Sequence, residues 1–424
     1  MHQITTSVCS TSLLGPVAAG LSVAYLDINH FNFPNVFFQG TDGVWNGPQS
    51  LNFPGSLASI VGLPNILIAL TQGGLLYVAT FNTPQGEAPQ ATNWSGFQPV
   101  TMPAPPGITN APFQFNDFSA TIAIANNAYV LVIVAVQNSN GQNPDTGGAT
   151  DAGYYAFTVN ISDLQSLSGP VSGSWTSISQ SSTGLIGGAN CPALVATNQG
   201  VALVGIAGNS NAGLWNGVFQ GFFSSDLSSW TVTLFDIFNP FGEALIGLGP
   251  TNVTLIAGNP DGTLQAIIPI NGQLVLFYSS TGQEFSQWVR YGSLFSVPDM
   301  VQQFFAAAAG FQAPGTPPEN LQVVGLSFQD VLPGNPPVAL PFLVWQDTSG
   351  AWSPYNNGFS LQSDFAALNV QPLDLATGMG FGYGTGGLTF LQVVYLGSDG
   401  NVYLNYQDQN GNWGWYAGAG QGLP

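Results

Sequence analysis

Residues 388–415 read LTFLQVVYLGSDGNVYLNYQDQNGNWGW. An apolar run, 388–396, meets the turn Ser398-Asp399-Gly400; a second run, 402–406, follows, and then Asn412-Trp413. Asp-Gly tolerates the positive φ of a tight hairpin, so the stretch predicts two paired strands and a third opened by tryptophan. Upstream, the small-residue segment 372–382 supplies one strand more, completing a unit of four.

The same order returns along the chain. The first copy is 21–28, 35–38 and Val44-Trp45; the second 65–70, 75–81 and Asn93-Trp94; the third 129–136, 154–159 and Ser174-Trp175. Then come 201–207, 217–224 and Ser229-Trp230; 253–257, 273–278 and Gln287-Trp288; and 321–327, 341–345 and Ala351-Trp352. Seven tryptophans, Trp45, Trp94, Trp175, Trp230, Trp288, Trp352 and Trp413, thus hold one repeat position at intervals of 49, 81, 55, 58, 64 and 61 residues. The long interval contains an Asn/Gly/Pro/Thr-rich insertion, 137–152. Almost no 3.6-residue apolar period accompanies these runs, and further turn signals stand at Thr71-Gln72-Gly73-Gly74, Pro260-Asp261-Gly262 and Ile270-Asn271-Gly272.

Four short strands per unit at this period describe a propeller blade, because a β-helix repeats at about 20 residues and a sandwich does not repeat seven times. The expectation is an all-β, seven-bladed β-propeller of four-stranded antiparallel blades. It forms one domain over residues 1–424, with approximate blades 1–53, 54–107, 108–180, 181–238, 239–296, 297–361 and 362–424. Segments 120–125, 192–195, 243–248 and 304–309, rich in Ala and Gly, are the expected innermost strands. The repeated tryptophans read as filling between neighbouring blades, and the turn Asp and Asn residues as turn formers rather than metal ligands.

Charge excludes much. Charged residues are 5% of 424, with 20 acids against a single base, Arg290, for a net −19; an ordinary domain carries about 25%. Nucleic-acid binding and attachment to anionic lipid need several Lys or Arg, and a Walker-type phosphate site needs a cation. His2 and His30 are the two histidines, too few for a multi-histidine zinc site or His-based triads. Cys9 and Cys191 fit neither a metal spacing nor a disulfide framework and read as buried thiols in preference to one bridge. No metal and no cofactor is expected. The apolar stretch 8–28 lacks a basic start and contains Pro16, which argues against a signal peptide. The stretch 57–81 is interrupted by Pro64 and Gly73-Gly74 and reads as short strands rather than a membrane span. Unpaired carboxylates in so negative a field predict stability that rises as pH falls toward about 4.

Tryptophans outside the repeat are the ligand candidates: Trp215; Trp345, followed by Gln346 and Asp347; and Trp415 with Tyr416. An indole stacks on the apolar face of a sugar while amides and carboxylates accept hydroxyl hydrogens. Segment 397–416 resembles the blades of sugar-binding β-propeller lectins, in which a Ser-Asp-Gly-type turn, an aromatic-bearing strand and a following Trp recur. Thr41-Asp42-Gly43-Val44-Trp45 resembles them more loosely. The resemblance implies sugar binding, but that family often places an Arg at each site, and one Arg forbids a repeated version. Sialidase-like propellers fail for want of arginines. A propeller glycosidase needs converging carboxylates, for which Glu243, Asp299, Asp330, Asp347 and Asp374 are available; a lactonase-like calcium site would draw on Glu243 and Asn252.

The reading is a noncatalytic propeller, secreted or surface-displayed, that binds neutral carbohydrate by aromatic stacking and Asn/Gln/Asp hydrogen bonds. A structural or protein-interaction propeller of an extracellular assembly or toxin complex is the alternative, and a carboxylate-dependent glycosidase or calcium-dependent hydrolase is third. Partners are neutral carbohydrate or an extracellular protein, with no nucleic acid and no membrane insertion.

Overall fold

The computed structural model describes residues 8–13, 20–40, 42–53, 55–82, 89–102, 114–137, 153–165, 168–178, 193–197, 200–209, 214–235, 254–256, 265–270, 273–279, 288–296, 307–311, 320–329, 338–345, 369–381, 389–407, 413–416 and 422–423. Their strands form antiparallel sheets, each built from consecutive strands, most of them four-stranded. The first holds β1 (Val8–Leu13), β2 (Gly20–Asp27), β3 (Phe33–Gln39) and β4 (Trp45–Ser50); the second β5 (Leu57–Leu63), β6 (Ile66–Thr71), β7 (Leu76–Thr80) and β8 (Gln98–Pro99). The third holds β9 (Asp117–Ala125), β10 (Ala128–Gln137), β11 (Gly153–Asn160) and β12 (Ser174–Ser177); the fourth β13 (Ala193–Thr197), β14 (Gly200–Asn209), β15 (Leu214–Ser224) and β16 (Trp230–Phe235). The fifth holds β17 (Thr254–Ile256), β18 (Gln265–Ile270), β19 (Gln273–Ser279) and β20 (Trp288–Ser296). Three described strands, β21 (Ala307–Phe311), β22 (Asn320–Gln329) and β23 (Val338–Trp345), form the next sheet, and β24 (Pro372–Phe381), β25 (Thr389–Gly397), β26 (Val402–Gln407) and β27 (Trp413–Trp415) the last.

Meander order follows from the turns. Asn126 and Asn127, at φ 50° and 61°, close β9 onto β10, as a two-residue hairpin with positive φ at both positions requires. Gly397-Ser398-Asp399-Gly400-Asn401 closes β25 onto β26: the Gly397 N–H donates to Asn401 O, and the Asn401 N–H to Asp399 Oδ1 at 3.1 Å. Residues 40–44, before β4, repeat that pattern with Asp42 Oδ1 accepting the Val44 N–H at 3.0 Å. Two Asp-Gly sequences thus serve as turn formers, in different connections.

Contacts divide the chain into two compact units, one of residues 1–4, 73–76 and 98–297, the other of 5–72, 77–97 and 298–424. In the second, Leu26, Val36 and Phe38 of the first sheet pack with Leu57, Ile60 and Leu67 of the second. The opposite face of the first sheet, with Val8, Leu21, Val23 and Trp45, packs on Val394, Leu396, Val402 and Leu404 of the last. In the other unit, Ala123, Val130 and Val132 of the third sheet meet Val201 and Phe223 of the fourth. Middle strands are covered on both faces, which is why β10 is buried without interruption from Val130 to Val136 and reads in sequence as a continuous apolar run.

Five of the repeated tryptophans, Trp45, Trp175, Trp230, Trp288 and Trp413, stand first or second in the fourth strand of their sheets. Trp94 departs from that expectation. The Asn93 side chain accepts the Gln90 N–H at 2.8 Å and helps wind 91–93 into a 3-10 turn, leaving Trp94 bridged to Phe81 and the fourth strand to Gln98–Pro99. The fifth sheet also differs. Residues 254–256, expected as a second strand, form the first, and the second is β18, whose Pro269 pairs Leu274 one step before the hairpin end. A proline without N–H masks such a strand in sequence but is tolerated near its end. Of the segments expected as first strands, 120–125, 192–195 and 304–309 overlap β9, β13 and β21, each first in its sheet; 243–248 and Trp352 lie outside the described residues.

Candidate functional site

Alternation along β27 sets Trp413 and Trp415 on one face of the last sheet and Gly414 and Tyr416 on the other. Register adds neighbours: Trp415 pairs Asn405 and Trp413 pairs Gln407. Asn405 also pairs Val393, while Tyr395 pairs Tyr403 on that same face. This face is turned away from the first sheet, toward which Val394, Leu396, Val402 and Leu404 point.

Both indoles on the face are part-buried, keeping some ring area open to a ligand. Asn405 is 1% exposed, and its Oδ1 accepts no hydrogen bond among the described residues. A buried acceptor without a donor costs about 1–3 kcal/mol, a loss the fold bears beneath this face. The Tyr403 ring meets Trp415 edge-on, centroids 6.4 Å apart, and its hydroxyl donates to Asp399 Oδ2 at 2.7 Å. Burial first, then the Asp399 hydrogen bond and charge, push Tyr403 up to about 12. Asp399 also accepts the Asn401 amide, so this carboxylate is bound into its turn. The face therefore offers two indoles and a phenol edge, with no cation among the described side chains on it.

Tyr416, expected as a ligand residue beside Trp415, is placed elsewhere. It packs into the core between the first and last sheets, where its hydroxyl accepts the Trp45 N–H at 3.1 Å. Trp215 lies in β15, paired with Gly208, and Trp345 ends β23; their side chains are not among those described. Gln346 and Asp347 lie outside the described residues, as do Glu243, Asn252, Asp299 and Asp330. Asp374 is 2% exposed, and its carboxylate accepts the N–H groups of Val8 at 3.3 Å and Leu375 at 2.8 Å. Cys9 is a free, buried thiol raised in pKa by burial, with the Asp374 charge adding to the effect; Cys191 lies outside the described residues. No group of three or more potential metal ligands occurs among the described residues, and no described helix is long and apolar enough to cross a membrane.

Trp45, Trp94 and Trp230 occupy inter-sheet cores. Trp45 packs on the last sheet, Trp94 joins the cluster shared by the first two, and Trp230 packs on the third. Trp230 stacks on Phe223 at 4.2 Å, and the Trp175 Nε1–H donates to Thr101 O at 2.9 Å. The Nε1–H groups of Trp45, Trp94 and Trp230 are buried without a partner among the described residues.

No family model matches the chain, and no curated protein matches it. Solved structures similar to it include sugar-binding propeller lectins. One is a fucose-specific lectin from Aleuria aurantia, 12% identical, covering 100% of this chain and 98% of that one at a TM-score of 0.46. Another structure of Aleuria aurantia lectin, described as a six-bladed β-propeller, is 11% identical over 84% of this chain and 95% of its own at 0.44. An α-L-arabinofuranosidase from Lactobacillus brevis is 12% identical over 69% and 91% at 0.38.

Proposed function

We propose that residues 1–424 form one seven-bladed β-propeller, displayed outside the cell, that binds neutral carbohydrate without catalysis, with Trp415 as a stacking ring. The observation that carries this reading is part-buried Trp415 on the face it shares with Trp413, beside the Tyr403 edge. Stacking of a sugar ring on an indole needs no cation, which suits a chain with one base. The seven-fold tryptophan repeat and the run of meander sheets support the propeller reading.

The test is an array of immobilised neutral oligosaccharides, read with protein labelled at its N-terminal amine. Saturable binding is expected, and Trp415→Ala is expected to weaken it about threefold to tenfold, the worth of one aromatic contact. Asn405→Leu removes the orphan acceptor, so it is expected to keep or raise the melting temperature. A blank array with folded protein overturns the reading.

A further inference from the structure

The turn joining β2 to β3 exposes an aromatic ring in a backbone conformation that aromatic residues avoid. Phe31 has φ 57° and Asn32 φ 55°, the left-handed region in which a bulky side chain is an outlier. The turn is nevertheless firmly built. The His30 and Asn32 N–H groups both donate to Asp27 O, at 3.1 and 2.9 Å, and the Phe33 N–H to His30 O at 3.2 Å. Asp27 Oδ1 accepts the Asn29 N–H at 3.0 Å, and Oδ2 meets His30 Nδ1 at 2.8 Å. The Asn29 side chain donates across to Asp399 O at 3.1 Å, anchoring the turn to the last sheet.

All this holds Phe31 out at 81% exposure, with Phe33 at 39%. Leu373, 43% exposed, is the residue of β24 skipped by the bulge between Pro372 and Asp374. It lies two residues from Gln371, whose carbonyl accepts the Ser398 N–H of the turn that Asn29 binds. Backbone strain that persists beside a solvent-facing aromatic ring points to a contact outside the chain.

We infer that the Phe31 turn is a second neutral-glycan contact, an aromatic platform separate from the Trp415 face. Charge and size select that occupant. Both carboxylates at the turn are hydrogen-bonded within the chain, Asp27 to the Asn29 N–H and to His30, Asp399 to Asn401 and Tyr403, in a molecule of net −19. Anionic lipid and a second copy of this acidic chain are repelled by the whole. Among the described residues, Phe31 and Phe33 are the exposed apolar side chains of this turn, well short of the roughly 20–30 residues a stable protein interface uses on each side, but they match one or two sugar rings. The Asn32 amide, with no side-chain hydrogen bond among the described residues, supplies a donor and an acceptor beside the ring.

This inference rests on the carbohydrate reading, and the test separates the two. The same oligosaccharide array is read with wild type, Phe31→Ala, Phe31→Gly, Phe31→Tyr, Trp415→Ala and the double variant Phe31→Ala/Trp415→Ala. Phe31→Ala and Phe31→Gly are expected to weaken binding about threefold to tenfold, Phe31→Tyr to retain it, and the double variant to lose more than either single one. Phe31→Gly is also expected to raise the melting temperature, because glycine adopts this φ freely; a purely structural Phe31 would lower it. Unchanged binding in the Phe31 variants alongside a weakened Trp415→Ala overturns this inference and leaves the Trp415 site standing. A weakened Phe31→Ala with an unaffected Trp415→Ala does the reverse. A blank wild type overturns both.

Discussion

Tyr25 is stacked on Phe37 at 5.6 Å, and burial first, then the Asp27 charge, push its hydroxyl from 10 up to about 12. Because the folded value is raised, its contribution to stability is whole below pH 10 and is lost as pH climbs from 10 to 12, where the unfolded chain ionises first. Tyr403 acts over the same window. Urea melts taken at steps from pH 9 to 12 are expected to show falling stability, and Tyr25→Phe a shallower fall. At the acid end, Asp226 runs against the expectation of raised carboxylates: hydrogen bonds from Ser224 and Ser228 lower it. What sequence reveals at this scale is uneven. The aromatic pair Trp415-Tyr416 was legible as aromatic, but the two-residue period of a strand sends the rings to opposite faces, so one stays a ligand candidate and the other becomes core. Asn405 carried no signal, since its significance lies in burial opposite Trp415, a tertiary fact.

Elements were more legible than contacts between them. The β25–β26 turn announced itself through Asp-Gly, and β10 through eight consecutive apolar residues, because local backbone chemistry decides both. Pro269 concealed β18, and the side-chain cap at Asn93 took Trp94 out of the strand it was expected to join. Invisible too was the seam between the first and last sheets, where Asp374 holds the Val8 N–H and Tyr416 the Trp45 N–H. Gly400, at φ 85°, lets that turn lie against the Asn29 amide, where any Cβ would collide. Asp374→Ala strands the two N–H groups its carboxylate accepts, at about 1–3 kcal/mol for each buried donor. Hydrogen exchange is expected to quicken at Val8 and along β1 while β10 amides keep their protection; uniform acceleration would show that the bond is no local tie.

A molecule with one base in 424 residues has almost no ion pairs to rely on, so its stability rests on packing and ladder hydrogen bonds. Its exposure to trypsin is equally limited: Arg290 lies inside β20, paired with Phe277. Cleavage there needs local opening of that sheet. Folded protein is expected to survive trypsin intact, and urea-unfolded protein to give the two fragments 1–290 and 291–424 by mass spectrometry; rapid native cutting would mean that β20 frays. The same whole-molecule view changes the meaning of Trp45. Its apolar neighbours Val394, Leu396, Val402 and Leu404 come some 350 residues later in the chain. While the protein is being synthesised, the first sheet therefore waits with Trp45, Val8, Leu21 and Val23 uncovered until the last sheet leaves the ribosome. A chain stopped short of that point would carry a permanent sticky face, which makes the first sheet a built-in report of whether synthesis has passed the last sheet.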